Sequence, residues 1–169
     1  IKLVEDACHS PLAEYYDKNK GTCKIGSCTH SSAVALSLHP IKHFTSGEGG
    51  VVLTNDKSIY EKVKLLRSHH LVKNPDEFHD KKNVSKPWYY EINDLGYNYR
   101  LSEINSALAF SQLKRIEKTL LKREIIAKTY NKLLENIKGI SVPEITSIKT
   151  GKHAWHLYSI KINFEYFAK

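Results

Sequence analysis

The segment Ser37–Gly50 combines residue types that can bind a carbonyl compound covalently. Lys42 follows a short apolar run, and three glycines come after it before Val51. A lysine that is partly removed from water has a lowered pKa, and its free amine can form a Schiff base. Glycines let a backbone approach a ligand closely, and the Ser37 hydroxyl can donate to a phosphate. Surface lysines beside glycines are common, so the whole segment, and not Lys42 alone, predicts this chemistry.

Asp6 and His9 follow a second short apolar run. We predict that Lys2–Glu5 is a buried strand, which would deliver both side chains at its carboxyl end, where α/β proteins place ligands. A carboxylate there is costly to bury unless a cation meets it, and a protonated pyridine nitrogen is such a cation. Position alone favours the alternative, in which Asp6 caps a helix or a loop.

The segment Gly96–Glu103 is a third candidate, because it precedes a predicted helix. Helix starts favour anions, and Asn98 and Arg100 add hydrogen-bond donors. A capped turn with aromatic packing explains the same residues equally well.

Strands that alternate with helices must position these groups, which predicts an α/β layer fold. Ala33–Ser37, Val51–Thr54 and the alternating run from His156 to Ile162 are predicted strands. Asn55 or Asp56 is expected to cap a helix that runs to about Ser68, and the polar stretch from His69 to Tyr90 is expected to be a functional loop. A helix from Ser102 and a longer one that ends at Gly139 complete the pattern; their predicted buried residues are Ile104, Leu108, Phe110, Ile126, Tyr130, Leu133, Leu134 and Ile137.

Composition narrows the function classes. The chain has 169 residues and no methionine, which predicts an internal segment of a longer protein, with a trimmed complete domain as the alternative. Its net charge is +8, and a basic run between Ser111 and Lys138 lies on a helical pattern. We interpret that run as a solvated helix face; nucleic-acid binding is the alternative, and it lacks interleaved aromatic residues or a known motif.

Three cysteines without a C-x-x-C pair predict free thiols in a reducing, cytoplasmic setting. No apolar stretch approaches the roughly 20 residues of a membrane-spanning helix, so no membrane association is expected. His39 and His43 have metal-ligand spacing but lie in a predicted loop without a partner carboxylate, so we predict no metal site.

Four segments together resemble the DegT/StrS-type sugar aminotransferases, which have the aspartate-aminotransferase-like (type I) fold of pyridoxal-phosphate enzymes. These are Val4–His9, Ser37–Gly50, Arg67–His69 and Gly96–Glu103. Ser111–Leu113 and Trp155–Tyr158 follow in the same order. The resemblance implies a three-layer α/β/α large domain, of which residues 1–115 would form the C-terminal half. Residues 116–169 would form a connecting helix and the start of a small α+β domain.

The resemblance also assigns roles by position. Lys42 would be the Schiff-base lysine of pyridoxal 5'-phosphate and would move the proton between substrate and cofactor. Asp6 would bind the pyridine nitrogen, His9 would contact the phenolic oxygen, and Ser37 would bind the phosphate. Asn98 would reach the cofactor phosphate of a neighbouring subunit, which implies a homodimer with shared active sites. Arg100 and His156 are the candidates for substrate contacts.

Within the family, His39–Lys42, Arg67–His69 and His156–Tyr158 most resemble the pseudaminic-acid-pathway 4-aminotransferases. The resemblance therefore implies amination of a UDP-linked 4-keto-6-deoxy-N-acetylhexosamine at C4, with glutamate as the amino donor. A related sugar dehydratase has histidine at the Schiff-base position, which Lys42 argues against.

Several residues depart from the family pattern: His70 replaces a glycine, Ser10–Pro11 replaces a small apolar stretch, Ser32 replaces an aspartate, and Leu36 and Leu38 replace aromatic residues. A side chain at position 70 would sit at a turn that needs a positive φ. The resemblance also leaves out the first third of the family's chain, so we expect this segment alone to bind the cofactor weakly or not at all. A truncated, inactive relative is the remaining alternative.

Overall fold

The computed structural model describes residues 1–144 and 151–168. They fall into two compact units, one formed by Ile1–Leu53 with Glu103–Lys169 and the other by Thr54–Ser102. The strands are β1 (Val4–Asp6), β2 (Glu14–Asp17), β3 (Gly21–Lys24), β4 (Ala33–Ser37), β5 (Gly50–Leu53), β6 (Leu71–Val72), β7 (Glu91–Ile92), β8 (Ile140–Ser141) and β9 (Lys161–Ile162). The α-helices are α1 (Lys57–Leu66), α2 (Glu103–Leu113), α3 (Ile116–Leu134) and α4 (Phe164–Phe167).

A three-stranded sheet in the order β1-β4-β5 organises the first unit. β1 and β4 are parallel, with Val4 opposite Ala33 and Asp6 opposite Ala35, whereas β5 is antiparallel to β4. The predicted α/β class is confirmed, since the chain combines helices with a sheet that contains a parallel strand pair. Val34 and Leu38 are almost fully buried and form the centre of the core with Phe44.

β1 is not the buried strand that the sequence predicted. It begins at Val4 instead of Lys2, and Leu3 and Val4 are 56% and 66% exposed. It is the edge strand of its sheet, so within the described residues only β4 pairs with it. Its apolar side chains therefore face solvent in this chain.

The predicted helices form, but their apolar stripes are mostly uncovered. α1 begins after Asp56, whose carboxylate accepts from the backbone N–H groups of Ser58 and Ile59, and it ends at Leu66, near the predicted end. On α2, Ile104 and Phe110 are 81% and 61% exposed, and Leu108 is also exposed. The exposed residues predicted to be buried on or after α3 are Ile126, Tyr130, Leu133 and Ile137; only Leu134 is partly buried. These burial predictions are wrong for the chain by itself, because no described element covers those faces.

Two further features differ from the sequence prediction. β2 and β3 form an antiparallel hairpin that was not predicted. Asp17 closes its turn by accepting from the backbone N–H groups of Asn19 and Lys20, both at 2.8 Å. The predicted strand from His156 to Ile162 exists only at Lys161–Ile162. Trp155 just before it has a left-handed φ of 51°, which is incompatible with extended backbone.

The second unit contains α1, the β6–β7 pair and two short 3-10 turns at Pro75–Glu77 and Lys81–Asn83. Val72 and Phe78 are its buried hydrophobic residues. The polar stretch after His69 is thus largely folded. Among the described residues, no helix has the length and apolar character needed to cross a bilayer.

Candidate active site

The parallel pair β1 and β4 brings two predicted site residues to one end of the sheet. Asp6 is the last residue of β1 and Ser37 is the last residue of β4. Their strands run in the same direction with Asp6 opposite Ala35, so both side chains emerge at the carboxyl edge. This placement follows from the two apolar runs that the sequence shows.

Asp6 is exposed, which corrects the expectation of a buried carboxylate. Its Oδ1 accepts a hydrogen bond from the Cys8 backbone N–H at 3.1 Å. The thiol and the backbone N–H of Cys8 lower the pKa of Asp6, and the charges of His9 and Lys42 lower it further. Asp6 therefore caps the loop after β1, as the alternative interpretation held, while its charge also interacts with His9 and Lys42.

The loop between β4 and β5 is closed by hydrogen bonds around Leu38. The Leu38 carbonyl oxygen accepts from the Thr45 hydroxyl at 2.7 Å and from the Ser46 N–H at 3.1 Å. The Leu38 N–H donates to the Gly49 carbonyl oxygen at 2.9 Å. Gly47 has a left-handed φ of 86°, which only glycine adopts readily. The loop thus has a defined shape without any contribution from the Lys42 side chain.

Lys42 lies in a turn in which its backbone N–H donates to the His39 carbonyl oxygen at 2.9 Å. The side chain is half-buried, and among the described residues nothing hydrogen-bonds to its ammonium group. Its charge nevertheless contributes to lowering the pKa of Asp6 and that of His156. The ammonium group is therefore not held by a fixed partner among the described residues, while its charge acts on both side chains.

Three imidazoles gather beside Lys42. The ring centroids of His9 and His156 are 4.2 Å apart, and those of His43 and His156 are 5.3 Å apart. His43 is buried, and its Nε2 is 2.8 Å from the Ala154 carbonyl oxygen. Burial lowers the pKa of His43 to about 4, and burial followed by the charges of His9, Lys42 and Arg123 lowers the pKa of His156.

His156 also borders a cavity of about 450 Å³ along α3. Its wall includes Arg123, Trp155 and Tyr158, which combine a cation with aromatic rings. The Arg123 guanidinium donates to the carbonyl oxygens of Trp155 and His156 at 2.9 and 3.4 Å, so it fixes the backbone of this segment.

Asn98 and Arg100 belong to the second unit. The backbone around Asn98 is held by N–H groups of Tyr97 and Tyr99, which donate to the Leu66 and Arg67 carbonyl oxygens at 2.6 and 2.9 Å. Asn98 and Arg100 are both exposed. α2 begins at Glu103, directly after this segment, which agrees with the helix predicted from Ser102.

The departures from the family pattern have structural consequences in two places. His69 and His70 have left-handed φ values of 60° and 55°, so the turn at position 70 does require a positive φ. Ser10–Pro11 forms tight turns, with the Ser10 N–H on the Ala7 carbonyl oxygen at 3.0 Å. Leu12 after them also has a left-handed φ, of 55°.

Two residues of the site were missed by sequence reasoning. The backbone N–H of Cys8 donates to the Asp6 carboxylate. Cys8 lies between the predicted site residues Asp6 and His9, and only this position in the sequence could have indicated its role. His43 follows Lys42 directly, but its partner Ala154 is 111 residues away in sequence. Neither periodicity nor a short motif reveals such a contact. No group of three or more metal-binding side chains is present in residues 1–144 and 151–168.

Comparison with known proteins extends over the entire chain. The model of the DegT/DnrJ/EryC1/StrS aminotransferase family matches residues 1–169. An uncharacterised protein of Methanocaldococcus jannaschii is 39% identical over 165 residues, covering 98% of this chain and 40% of that protein. The UDP-4-amino-4,6-dideoxy-N-acetyl-beta-L-altrosamine transaminase of Campylobacter jejuni is 37% identical over 169 residues, covering 100% of this chain and 40% of the transaminase.

A solved structure gives the same result for the fold. Helicobacter pylori PseC, an aminotransferase involved in the biosynthesis of pseudoaminic acid, superposes with a TM-score of 0.79 at 32% identity. The match covers 99% of this chain and 40% of PseC. The chain thus spans about 40% of the length of these relatives. Its fold is that of the type I pyridoxal-phosphate enzymes, and the chain belongs to the DegT/DnrJ/EryC1/StrS aminotransferase family.

Proposed function

We propose that this chain forms the Schiff-base part of an aminotransferase that acts on a nucleotide-linked keto-sugar, with Lys42 as the reacting lysine. The observation that carries the proposal is the Lys42 ammonium group, which has no hydrogen-bond partner among the described residues while its charge acts on Asp6 and His156. An amine left unpaired beside a carboxylate and imidazoles is available to react with a carbonyl carbon.

The residues present fit pyridoxal phosphate by the chemistry of their donors and acceptors. Asp6 supplies an ionised carboxylate whose charge suits a protonated pyridine nitrogen. The Ser37 Oγ accepts from the His39 N–H at 3.3 Å, and its own hydrogen has no acceptor in the described part of the chain, so it can donate to a phosphate. The Nδ1 of His156 is buried without a partner. Each side chain thus offers a group that the cofactor can use.

When bound, pyridoxal phosphate would supply an aldehyde that an amino group can attack and a ring that withdraws electrons from the neighbouring carbon. Asp6 would keep the ring nitrogen protonated, and His9 would hydrogen-bond the phenolic oxygen. Lys42 Nζ would take the proton from the substrate carbon and return it, because an amine freed from its covalent role is a base close to that carbon. Ser37 would orient the phosphate.

The substrate proposal is a UDP-linked 4-keto-6-deoxy-N-acetylhexosamine aminated at C4, with glutamate as the donor. It is supported by the Campylobacter jejuni relative, whose name describes transamination of a UDP-linked amino sugar, and by the match to PseC. A relative in Shewanella sediminis is named as a UDP-4-amino-4-deoxy-L-arabinose aminotransferase, so the family accepts more than one UDP-sugar. We assign His156 and Arg100 to substrate contacts.

We further propose a cytoplasmic homodimer in which Asn98 of one subunit reaches the phosphate bound by the other. Asn98 is exposed, and its backbone is held by the hydrogen bonds on either side of it, so its side chain is presented outward. Residues 1–115 would belong to the large domain and residues 116–169 to the connecting helix and the small domain.

Borohydride trapping tests the proposal. The protein is incubated with pyridoxal phosphate, reduced, digested, and the adduct is located by peptide mass spectrometry. In the longer chain we expect one adduct at Lys42 that Lys42→Ala abolishes and that Lys57→Ala, an exposed lysine on α1, leaves unchanged. In this chain alone we expect weak labelling or none, because the segment is expected to bind the cofactor weakly. The test is run on this chain and on any longer chain that contains it. Adducts spread over surface lysines in both proteins would refute the assignment of Lys42.

Product analysis tests the substrate. The protein in which borohydride traps pyridoxal phosphate at Lys42 is given glutamate and the UDP-linked 4-keto-sugar, and the amino sugar is identified by NMR. Amination at C4 supports the substrate proposal, whereas trapping at Lys42 with no amination of this sugar keeps the Schiff-base assignment and rejects the substrate.

A further inference from the structure

His43 is a buried polar side chain whose hydrogen-bonding state can be assigned. Its Nε2 is 2.8 Å from the carbonyl oxygen of Ala154, and a carbonyl oxygen can only accept a hydrogen bond. The proton of the neutral ring therefore lies on Nε2, and Nδ1 carries a lone pair. This Nδ1 is buried and has no partner among the described residues. The side chain is 4% exposed, so water does not replace the missing partner freely.

This hydrogen bond connects the Lys42 loop to the segment that carries His156. Ala154 is itself 2% exposed, so its carbonyl oxygen would lose its partner in a buried place if His43 were removed. Arg123 holds the same segment from α3 through the Trp155 and His156 carbonyl oxygens. Three successive carbonyl groups are thus fixed, one of them by His43.

The fixed segment places the His156 ring between the other two imidazoles. Its centroid is 4.2 Å from that of His9 and 5.3 Å from that of His43. Its Nδ1 is buried without a partner. No described residue hydrogen-bonds that nitrogen, so the ring depends for its orientation on its backbone and on its packing against the other two rings.

We propose that His43 is a positioning residue, which holds segment 154–156 through Ala154 so that the His156 imidazole stays against His9 beside Lys42. The part of this inference that concerns catalysis rests on the proposed function. The part that concerns His156 orientation does not.

The charges around the cluster are consistent with this role. The charges of Arg123, His156 and His9 disfavour protonation of His43, and those of His9, Lys42 and Arg123 disfavour protonation of His156. Burial is the larger cause in both rings, and both pKa values are lowered. Near neutral pH the two rings are therefore uncharged, so they act through hydrogen bonding and shape and do not repel the Lys42 ammonium.

A pair of substitutions separates positioning from simple packing. In His43→Gln the side-chain amide nitrogen occupies the place of Nε2 and can still donate to the Ala154 carbonyl oxygen. In His43→Asn the amide is one bond shorter and cannot reach it. Both replacements are polar and uncharged, so the pair differs chiefly in the reach of the donor. Far-UV circular dichroism and urea unfolding check that each variant is folded.

The first measurement is the imidazole titration of His156 by NMR in protein without cofactor. We expect His43→Asn to raise the pKa of His156 toward its ordinary value, because the released segment becomes more hydrated and burial is the main cause that lowers this pKa. His43→Gln should leave it close to the wild-type value. Equal values in the two variants, or no change in His43→Asn, would overturn the proposal.

The second measurement is steady-state kinetics with the keto-sugar. His43→Asn should raise KM about tenfold with a smaller change in kcat and with borohydride trapping at Lys42 unchanged, and His43→Gln should restore KM. Loss of trapping in His43→Asn alone would show that His43 supports the cofactor site and would reject the positioning role. If trapping fails in all proteins while the His156 titration behaves as expected, the proposed function fails and the positioning of His156 stands.

Discussion

Gly96→Ala tests how the backbone that carries Asn98 is built. A Cβ at position 96 would lie 2.3 Å from both the carbonyl carbon of His69 and the backbone nitrogen of His70. These are backbone atoms, so no side chain can rotate away to make room. Tyr97 and Tyr99 on the same strand-like segment donate to Leu66 and Arg67. Separation of the two segments by the roughly 1 Å that the methyl group needs would therefore weaken these hydrogen bonds.

The expected cost is about 3 kcal/mol. Forcing a methyl group into a filled space costs about 1–3 kcal/mol, and each weakened hydrogen bond adds up to about 1 kcal/mol. Gly21→Ala is the matched control, because Gly21 has a left-handed φ of 73° but no atom within 4 Å of its Cβ position. Its cost is strain alone, about 1 kcal/mol after the smaller entropy of the unfolded alanine chain is counted.

Amide hydrogen exchange measures the loss of local stability in each variant, near the substituted glycine. In Gly96→Ala we expect the Tyr97 and Tyr99 amides to exchange about 100-fold faster, which corresponds to the estimated loss of stability. In Gly21→Ala the amides of the β2–β3 hairpin should exchange only about fivefold faster. If exchange at Tyr97 and Tyr99 is unchanged, or rises no more than in the control hairpin, close packing at Gly96 does not hold this segment.

Three further outcomes are expected. Asp56→Ala removes the carboxylate that accepts from Ser58 and Ile59 at the start of α1, and it should cost about 1 kcal/mol in urea unfolding, whereas Asp56→Ser should recover most of it. Glu91→Gln leaves one of the His79 and Asp80 backbone N–H groups without its carboxylate oxygen, so those two amides should exchange faster while the α1 amides do not change. Burial lowers the pKa of His43 from 6.5 to about 4 in the folded chain, so the unfolded chain takes up the proton first as the pH falls. The contribution of His43 to stability is therefore full above about pH 6.5 and falls by up to about 1.4 kcal/mol per pH unit down to about pH 4. His43→Gln should flatten that part of the urea-unfolding profile.

Strand ends and helix starts were predicted best, at places where an apolar run ends in polar residues. Ala33–Ser37 forms β4 within the predicted bounds, and Asp56 caps α1 as expected, because a strand end and an N-cap depend on a few adjacent residues. The placement of Asp6 and Ser37 at one edge follows from two such ends and parallel pairing. Roles of individual site residues stay predictions, since they depend on bound molecules.

Burial was predicted worst, for a physical reason. Periodicity on α2 identifies a face that can be buried, such as that of Ile104, but it does not identify what covers the face. The His43–Ala154 contact was missed because it joins residues that are 111 positions apart and carries no local signature. The alternating run from His156 to Ile162 predicted a strand, but only Lys161–Ile162 pairs, with β8.

The loop after β4 shows why Lys42 is left available. Leu38 is 1% exposed, and its backbone groups take hydrogen bonds from Thr45 and Ser46 and give one to Gly49, so the loop is closed at its base. Ser46 is fully buried, and its hydroxyl donates to the Glu48 carbonyl oxygen at 2.7 Å. Because hydroxyl and backbone groups satisfy one another, no polar group of the loop base requires the Lys42 ammonium as a partner. A lysine needed to hold its own loop would have to break a structural bond before it could react, and Lys42 does not carry that cost.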